Sequence, residues 1–132
     1  MTVPVITAFY GGLLGVLCVV LAVLVINQRR VSKVGIGDGG DQQMARMMRV
    51  FGNFAEYTAL ALVLFMLLEL CGGPRLAIHL CAGGFVVGRI AHAFGLSRSS
   101  GESPGRAAGV ILTFVPILVA AIWLVAIAAR GL

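Results

Sequence analysis

The stretch Arg46-Met-Met-Arg49-Val-Phe-Gly-Asn53-Phe-Ala-Glu56-Tyr57 opens a helix that runs on through apolar residues to Leu70. At about 100° per residue, Arg49, Asn53, Glu56 and Tyr57 fall within roughly a third of the circumference, and Arg46 and Gln42 fall in the same sector. The other faces carry Met47, Phe51, Phe54 and Leu62. Charged and amide side chains at bilayer depth are costly, on the order of a few kcal/mol each, unless they are paired or line a wet cavity. A stripe of hydrogen-bonding groups on such a helix therefore marks a candidate site for a polar, charged ligand at the membrane rim.

The rest of the chain supports a membrane setting. Hydrophobic residues make up 60% of it and charged ones only 11%, with a mean hydropathy of +1.04, whereas about a quarter of a soluble chain is charged. Val3 to Ile26 and Ala107 to Ala129 contain no charge and exceed the roughly 20 apolar residues that a spanning helix needs. Phe51 to Cys71, with Glu56 and Glu69, and Leu76 to Leu96, with His79, Arg89 and His92, are further spans with polar inserts. Four helices within 132 residues leave no room for a separate soluble domain. The expectation is an all-α membrane protein, a single four-helix antiparallel transmembrane bundle over residues 1–132.

The N-terminus lacks a basic lead-in and a small-residue cleavage site, so its apolar run reads as a retained helix and not a signal peptide. Cys18, Cys71 and Cys81 form no CxxC pair and sit in or beside apolar helices. They read as buried free thiols, and no metal is expected.

Charge gives the topology. Arg29, Arg30, Lys33, Arg46 and Arg49 follow the first span, and Arg98 and Arg106 follow the third, against only Arg75 and Arg130 on the other side. The positive-inside rule places both basic loops in the cytoplasm and both termini outside. The net charge of +5 is thus an orientation signal. Basic residues that flank spans without interleaved aromatics argue against nucleic-acid binding. Arg29, Arg30 and Lys33 suit contact with anionic lipid.

Local punctuation fixes the connections. Val34-Gly-Ile-Gly-Asp-Gly-Gly-Asp41 is too glycine-rich for regular structure, and no strand precedes it to make it a nucleotide fingerprint. Asp41 is a preferred N-cap, so the second helix is expected to start there. Gly72-Gly73-Pro74 ends it and turns the third helix back antiparallel. Arg89 and His92 then share a face, and Arg89 falls at about the depth of Glu56. A buried guanidinium needs a partner, which makes a Glu56–Arg89 contact, direct or through a ligand, the expected arrangement. Glu69 and His79, close to Arg75, read as interfacial surface groups. Pro116 lies inside the fourth span, and Trp123 suits either an interfacial anchor or packing in the bundle. Gly11/Gly15, Gly84/Gly88 and Gly105/Gly109 are spaced for close helix approach.

The pattern Arg49-x-x-x-Asn53-x-x-Glu56-Tyr57, at the start of a second transmembrane helix, resembles the signature of the MAPEG family, the membrane-associated proteins of eicosanoid and glutathione metabolism. Length, four spans and the basic first loop agree, so the resemblance covers essentially the whole chain. It implies a homotrimer that holds glutathione between neighbouring subunits near the cytoplasmic face. Arg49, Asn53, Glu56 and Tyr57 match positions that contact the tripeptide, and Arg46 lies in their sector. Arg89 and His92 resemble an Arg-x-x-His pattern of the glutathione transferase branch. Arg106 resembles the arginine that activates the thiol, although Arg98 in the same connection is an alternative. Glutathione would be a co-substrate, and its thiolate would attack a lipophilic small molecule arriving from the bilayer. The chemistry is coherent: carboxylates call for cations, the ammonium for an anion, and a guanidinium near sulfur favours the thiolate.

The sequence also departs from that pattern. Ala91-His-Ala-Phe94-Gly-Leu96 lacks the tyrosines of competent members, and the only tyrosines are Tyr10 and Tyr57. The likeness is to a divergent bacterial branch, which implies a bacterial inner membrane. A non-catalytic glutathione- or lipid-binding protein is therefore the alternative reading. A small transporter is disfavoured, because the first span carries no charge and Glu56 lies near one edge of a basic cluster.

Overall fold

The computed structural model describes residues 3–98 and 104–131, which form four helices: α1 (Val5–Ser32), α2 (Gln42–Leu70), α3 (Arg75–Arg98) and α4 (Pro104–Ala128). Each contains a stretch long and apolar enough to cross a bilayer. The first and third helices run further than their apolar cores, because no glycine or proline stops the polar turns Asn27–Ser32 or Ser97–Arg98.

The helix ends are fixed by identifiable groups. Asp41 is the N-cap of α2: its Oδ1 accepts from the backbone N–H of Gln43 at 2.8 Å and of Met44 at 3.3 Å. Its other carboxylate oxygen accepts from the Ser32 hydroxyl and from Gln28 Nε2 at 3.1 Å. One carboxylate thus caps α2 and ties it to the last turn of α1. At the opposite end Gly72 adopts φ 77°, a left-handed conformation that closes α2, with Gly73 N–H bonded to the Leu68 carbonyl at 2.9 Å.

Glu69 departs from the surface role expected of it. Pro4, which precedes α1, offers no side-chain cap. Instead the Glu69 carboxylate, in the last turn of α2, accepts from the N–H groups of Ile6 and Thr7 at 2.9 and 2.8 Å and from the Thr7 hydroxyl at 2.7 Å. A helix N-terminus carries free N–H groups and partial positive charge, so a carboxylate there serves as a cap from another helix. Tyr10, one turn on, has its hydroxyl 3.2 Å from His79 Nδ1.

The helices α2 and α3 form the centre, with α1 packed on both of them and α4 on both of them; α1 and α4 do not meet among the described residues. The α2–α3 contact is built on Phe65 and Phe85, both buried, with rings edge to face at 5.9 Å. The α3–α4 crossing is the closest approach. A Cβ on Gly88 would lie 2.7 Å from Leu112 Cβ, and one on Gly109 would lie 2.8 Å from both the backbone N and Cα of His92. Of the expected glycine pairs, Gly11 and Gly15 make no such approach. Trp123 is half-buried and packs against the core, so it belongs to the bundle. Cys81 is buried and Cys18 half-buried as expected, but Cys71 is exposed, because it caps α2 at the turn and not within a span.

Two outcomes test this packing. Gly109→Ala should destabilise reversible unfolding in mixed micelles by about 1–3 kcal/mol, the usual cost of overpacking, because the obstacle is His92 backbone. Gly12→Ala, where a methyl meets open space, should be neutral or mildly stabilising; equal effects would contradict the crossing. The second outcome concerns pH. The Ser32 hydroxyl, then the Gln43 amide, the Gln28 side chain and the Met44 amide hold the Asp41 carboxyl down from 3.8 to about 2. A depressed folded pKa contributes stability that is present above the ordinary value and lost as pH falls through about 2. Carboxyl titration by NMR should therefore give a midpoint near 2, and Ser32→Ala should move it upward.

Candidate functional site

The polar stripe of α2 lies at the margin of that helix's buried face. Val50, Phe54, Ala61, Phe65 and Leu68 point into the bundle. Arg46, Asn53 and Tyr57, on the near edge of the stripe, are half-buried, whereas Arg49 and Glu56, about 40–100° further round, are exposed. One stripe is thus divided into an inward part and an outward part.

The inward part meets Arg89. This residue is only 2% exposed, on α3. Its Nη1 donates to Asn53 Oδ1 at 2.8 Å and to the Asn53 backbone carbonyl at 3.3 Å. Its Nη2 donates to the Thr113 hydroxyl of α4. Thr113 is 1% exposed, and its hydroxyl in turn donates to the Gly109 carbonyl at 2.6 Å. The guanidinium carbon lies 5.8 Å from the Tyr57 ring centroid and 5.7 Å from that of Phe85, within range of a cation–π attraction. Tyr57 also stands edge-on to Phe114 at 5.3 Å. One arginine joins α2, α3 and α4.

A direct Glu56–Arg89 contact, one of the two expected forms, is not made. Glu56 is exposed, while Arg89 turns inward to neutral oxygens and ring faces. The physical reason is angular: Asn53 and Tyr57 occupy the edge of α2 nearest α3, and Glu56 lies on the far edge. Arg89 Nε has no hydrogen-bond partner among the described residues. His92, one turn beyond Arg89, is buried, and its backbone forms the floor against which Gly109 packs.

On the outward side, a hollow of ≈ 280 Å³ near the α1–α2 loop is lined by Asp38, Ala45, Met48, Arg49 and Gly52, and Glu56 lies beyond it. Arg49 is the motif residue that lines it. The backbone of Arg106 belongs to the first turn of α4 and that of Arg98 to the last turn of α3, at this same end of the bundle. The side chains of both lie outside the described residues. Thr113 was not singled out from the sequence. Its signal was present: it is the one hydroxyl in the apolar span of α4 from Ala107 to Ala128.

Comparison with known proteins places the chain. The model of the MAPEG family matches residues 7–126. Inner membrane protein YecN of Escherichia coli (strain K12) is 30% identical over 90 residues, covering 68% of this chain and 69% of that protein. The protein of the same name from Escherichia coli O6:H1 matches to the same extent.

Thr113 gives the sharpest test of the buried tie. Thr113→Val keeps the shape but removes the acceptor, leaving an Arg89 donor unpaired in a dry site, and should cost about 1–3 kcal/mol. Thr113→Ser should stay close to wild type. Arg89→Lys should be destabilising despite the retained charge, because one ammonium lacks the planar fork that reaches both Asn53 and Thr113. Unfolding in mixed micelles measures all three, and an indifferent Thr113→Val would remove Thr113 from the tie.

Proposed function

This chain belongs to the MAPEG family, and from that membership we propose that it is an integral membrane glutathione transferase or peroxidase-like protein. It binds glutathione at the α1–α2 loop end, between neighbouring copies of a homotrimer, with both termini on the opposite, outer side of a bacterial inner membrane. Arg49, supported by Arg46, takes the carboxylates of the tripeptide, and Glu56 takes its ammonium. Asn53 contributes its amide, held in place because its oxygen is already bonded to Arg89, and Tyr57 contributes its hydroxyl. Arg106 stabilises the thiolate, which attacks a lipophilic electrophile delivered by the bilayer, and a bond forms between sulfur and the electrophilic atom. Either the leaving group departs with its bonding electron pair and takes a proton from solvent, or, in an addition, the displaced electron pair stays on the acceptor and is protonated there.

One observation carries this reading. Arg49 and Glu56 are opposite charges, exposed on the same edge of a transmembrane helix, beside an amide and a phenol that the bundle holds fixed. Charges on a span require a polar partner. A zwitterionic ligand with carboxylates and an ammonium supplies both complements at once, and a neighbouring copy would shield them from lipid. Arg89 and His92, named with this site from the sequence, act behind it: at 2% and 6% exposure they support its walls.

The binding-only alternative has its own observation. The tyrosine-free segment Ala91–Leu96 offers no hydroxyl to a thiolate, and the Tyr57 ring is engaged by Phe114 and Arg89. Calorimetric titration of glutathione into detergent-purified protein, paired with a conjugation assay, separates the two. Wild type should bind. Arg49→Ala and Glu56→Ala should each lose roughly 2–5 kcal/mol of binding. Arg106→Ala should keep affinity within a few fold, raise the bound thiol pKa toward about 8.5, and slow conjugation by about tenfold or more. Binding without conjugation of several electrophiles selects the binding-only reading. Absence of binding by wild type overturns both.

A further inference from the structure

The last turn of α1 and the connection to α2 carry Arg29, Arg30, Lys33, Asp38 and Asp41, and three of these five are committed to local structure. Arg29 Nη1 donates to the carbonyls of Gly35 and Gly37 at 3.2 and 3.1 Å. Asp38 accepts from the Gly40 N–H at 3.0 Å. Asp41 caps α2 and holds Ser32 and Gln28. Neither acid is therefore turned to the remaining cations. Arg30 and Lys33 are both exposed; Arg30 stands on the outward face of the last turn of α1, and Lys33, three positions on, is the C-cap of that helix, with a left-handed backbone at φ 52°.

That face continues down α1. Ile26, Val23, Val19 and Val16 follow at alternating spacings of three and four and are 48%, 46%, 64% and 67% exposed. The 28 residues of α1 measure about 42 Å at 1.5 Å per residue, against a hydrocarbon thickness of about 30 Å. The surplus, about two turns, falls at the loop end, where polar residues begin at Asn27, because the other end is apolar from Val5. Arg30 and Lys33 therefore stand in the headgroup layer, directly above an apolar strip that reaches into the hydrocarbon.

We propose that Arg30 and Lys33 form a binding site for the headgroup of an anionic phospholipid, whose acyl chain lies along Ile26, Val23, Val19 and Val16. Charge complementarity selects the occupant. Two cations without a local counter-charge favour a net negative headgroup over a zwitterionic one, in which a cation offsets the phosphate. A second copy meeting this face through its own α1 at the same depth would instead bring four cations together. The site is independent of glutathione and holds whether or not the chain is an enzyme.

Native mass spectrometry of the detergent-purified, delipidated full chain tests the assignment, with dioleoyl phosphatidylglycerol and dioleoyl phosphatidylcholine added in equal amounts. Wild type should retain the anionic lipid about tenfold better. The double variant Arg30→Gln/Lys33→Gln should fall close to parity, with unchanged helical content because both side chains are exposed. Arg130→Gln, which removes a charge at the opposite end of the bundle, should keep the wild-type preference. Inorganic phosphate at millimolar concentration should not displace the lipid, since it has no chain to lie on the strip. Parity in wild type, an Arg130→Gln loss as large as that of the double variant, or full displacement by phosphate would each overturn the proposal.

Discussion

One buried cation, Arg89, without a carboxylate partner among the described residues, sets the geometry of this bundle. Arg89 neutralises nothing and is neutralised by no acid among the described residues. Its charge is spread over the Asn53 amide and carbonyl, the Thr113 hydroxyl and two aromatic faces. Such an arrangement is tolerable only if every partner stays in place, because a misplaced donor in a low-dielectric interior costs its full desolvation penalty. The helices are therefore fixed in rotation as well as in position. Asn53 turns α2 so that its polar margin looks past α3. Thr113 and Gly109 bring α4 against α3 at backbone distance, where Gly88 and Gly109 leave room. Turning α2 by roughly 40° either way would break the Asn53 bonds, and with them the division of the stripe into a held half and an open half.

The helix α1 is attached differently. It has few buried residues, Ile6, Thr7, Leu14 and Leu21, and makes no contact with α4 among the described residues. Polar ties hold it at both ends, Glu69 on the N–H groups of Ile6 and Thr7, and Asp41 on Ser32 and Gln28. Between these ties its outer face is open along its length. Side-chain packing holds the α2–α3–α4 unit, and the carboxylates of Glu69 and of the α2 cap Asp41 add polar ties that hold α1 to it at both ends.

Much of this was legible in the sequence because hydropathy and turn chemistry are local properties. Four apolar runs, the Gly-Gly-Pro turn and the Asp41 cap each announce themselves within a few residues. The stripe on α2 was legible too, since helical period depends on spacing alone. Which edge of the stripe faces inward depends on the rotation of α2 against α3, and about 60° separates Asn53, which meets Arg89, from Glu56, which does not. The Glu69 cap joins residues sixty-two positions apart, and no local motif marks it. Thr113 looked like one tolerated hydroxyl in an apolar run until the fold put a guanidinium beside it. The glycine spacings were visible, but only the crossing partner tells that Gly109 is compelled and Gly15 is not.

The acids of the chain sharpen the case for the site. There are five, and Glu102 lies outside the described residues. Asp38 closes a turn onto the Gly40 amide, Asp41 caps α2, and Glu69 caps α1. Each satisfies backbone N–H groups that would otherwise be unpaired, a sufficient structural reason for a carboxylate in so apolar a chain. Glu56 makes no such bond. It lies in mid-helix, where the backbone is already satisfied, on an exposed edge of a span, with Arg49 two turns away on the same edge. A carboxylate at that position costs free energy in a membrane unless it is paired, and among the described residues no hydrogen bond or ion pair offsets it. Of the four described acids, Glu56 is therefore the one without a capping role, and with Arg49 on the same edge it is the pair on which the proposed zwitterionic ligand rests.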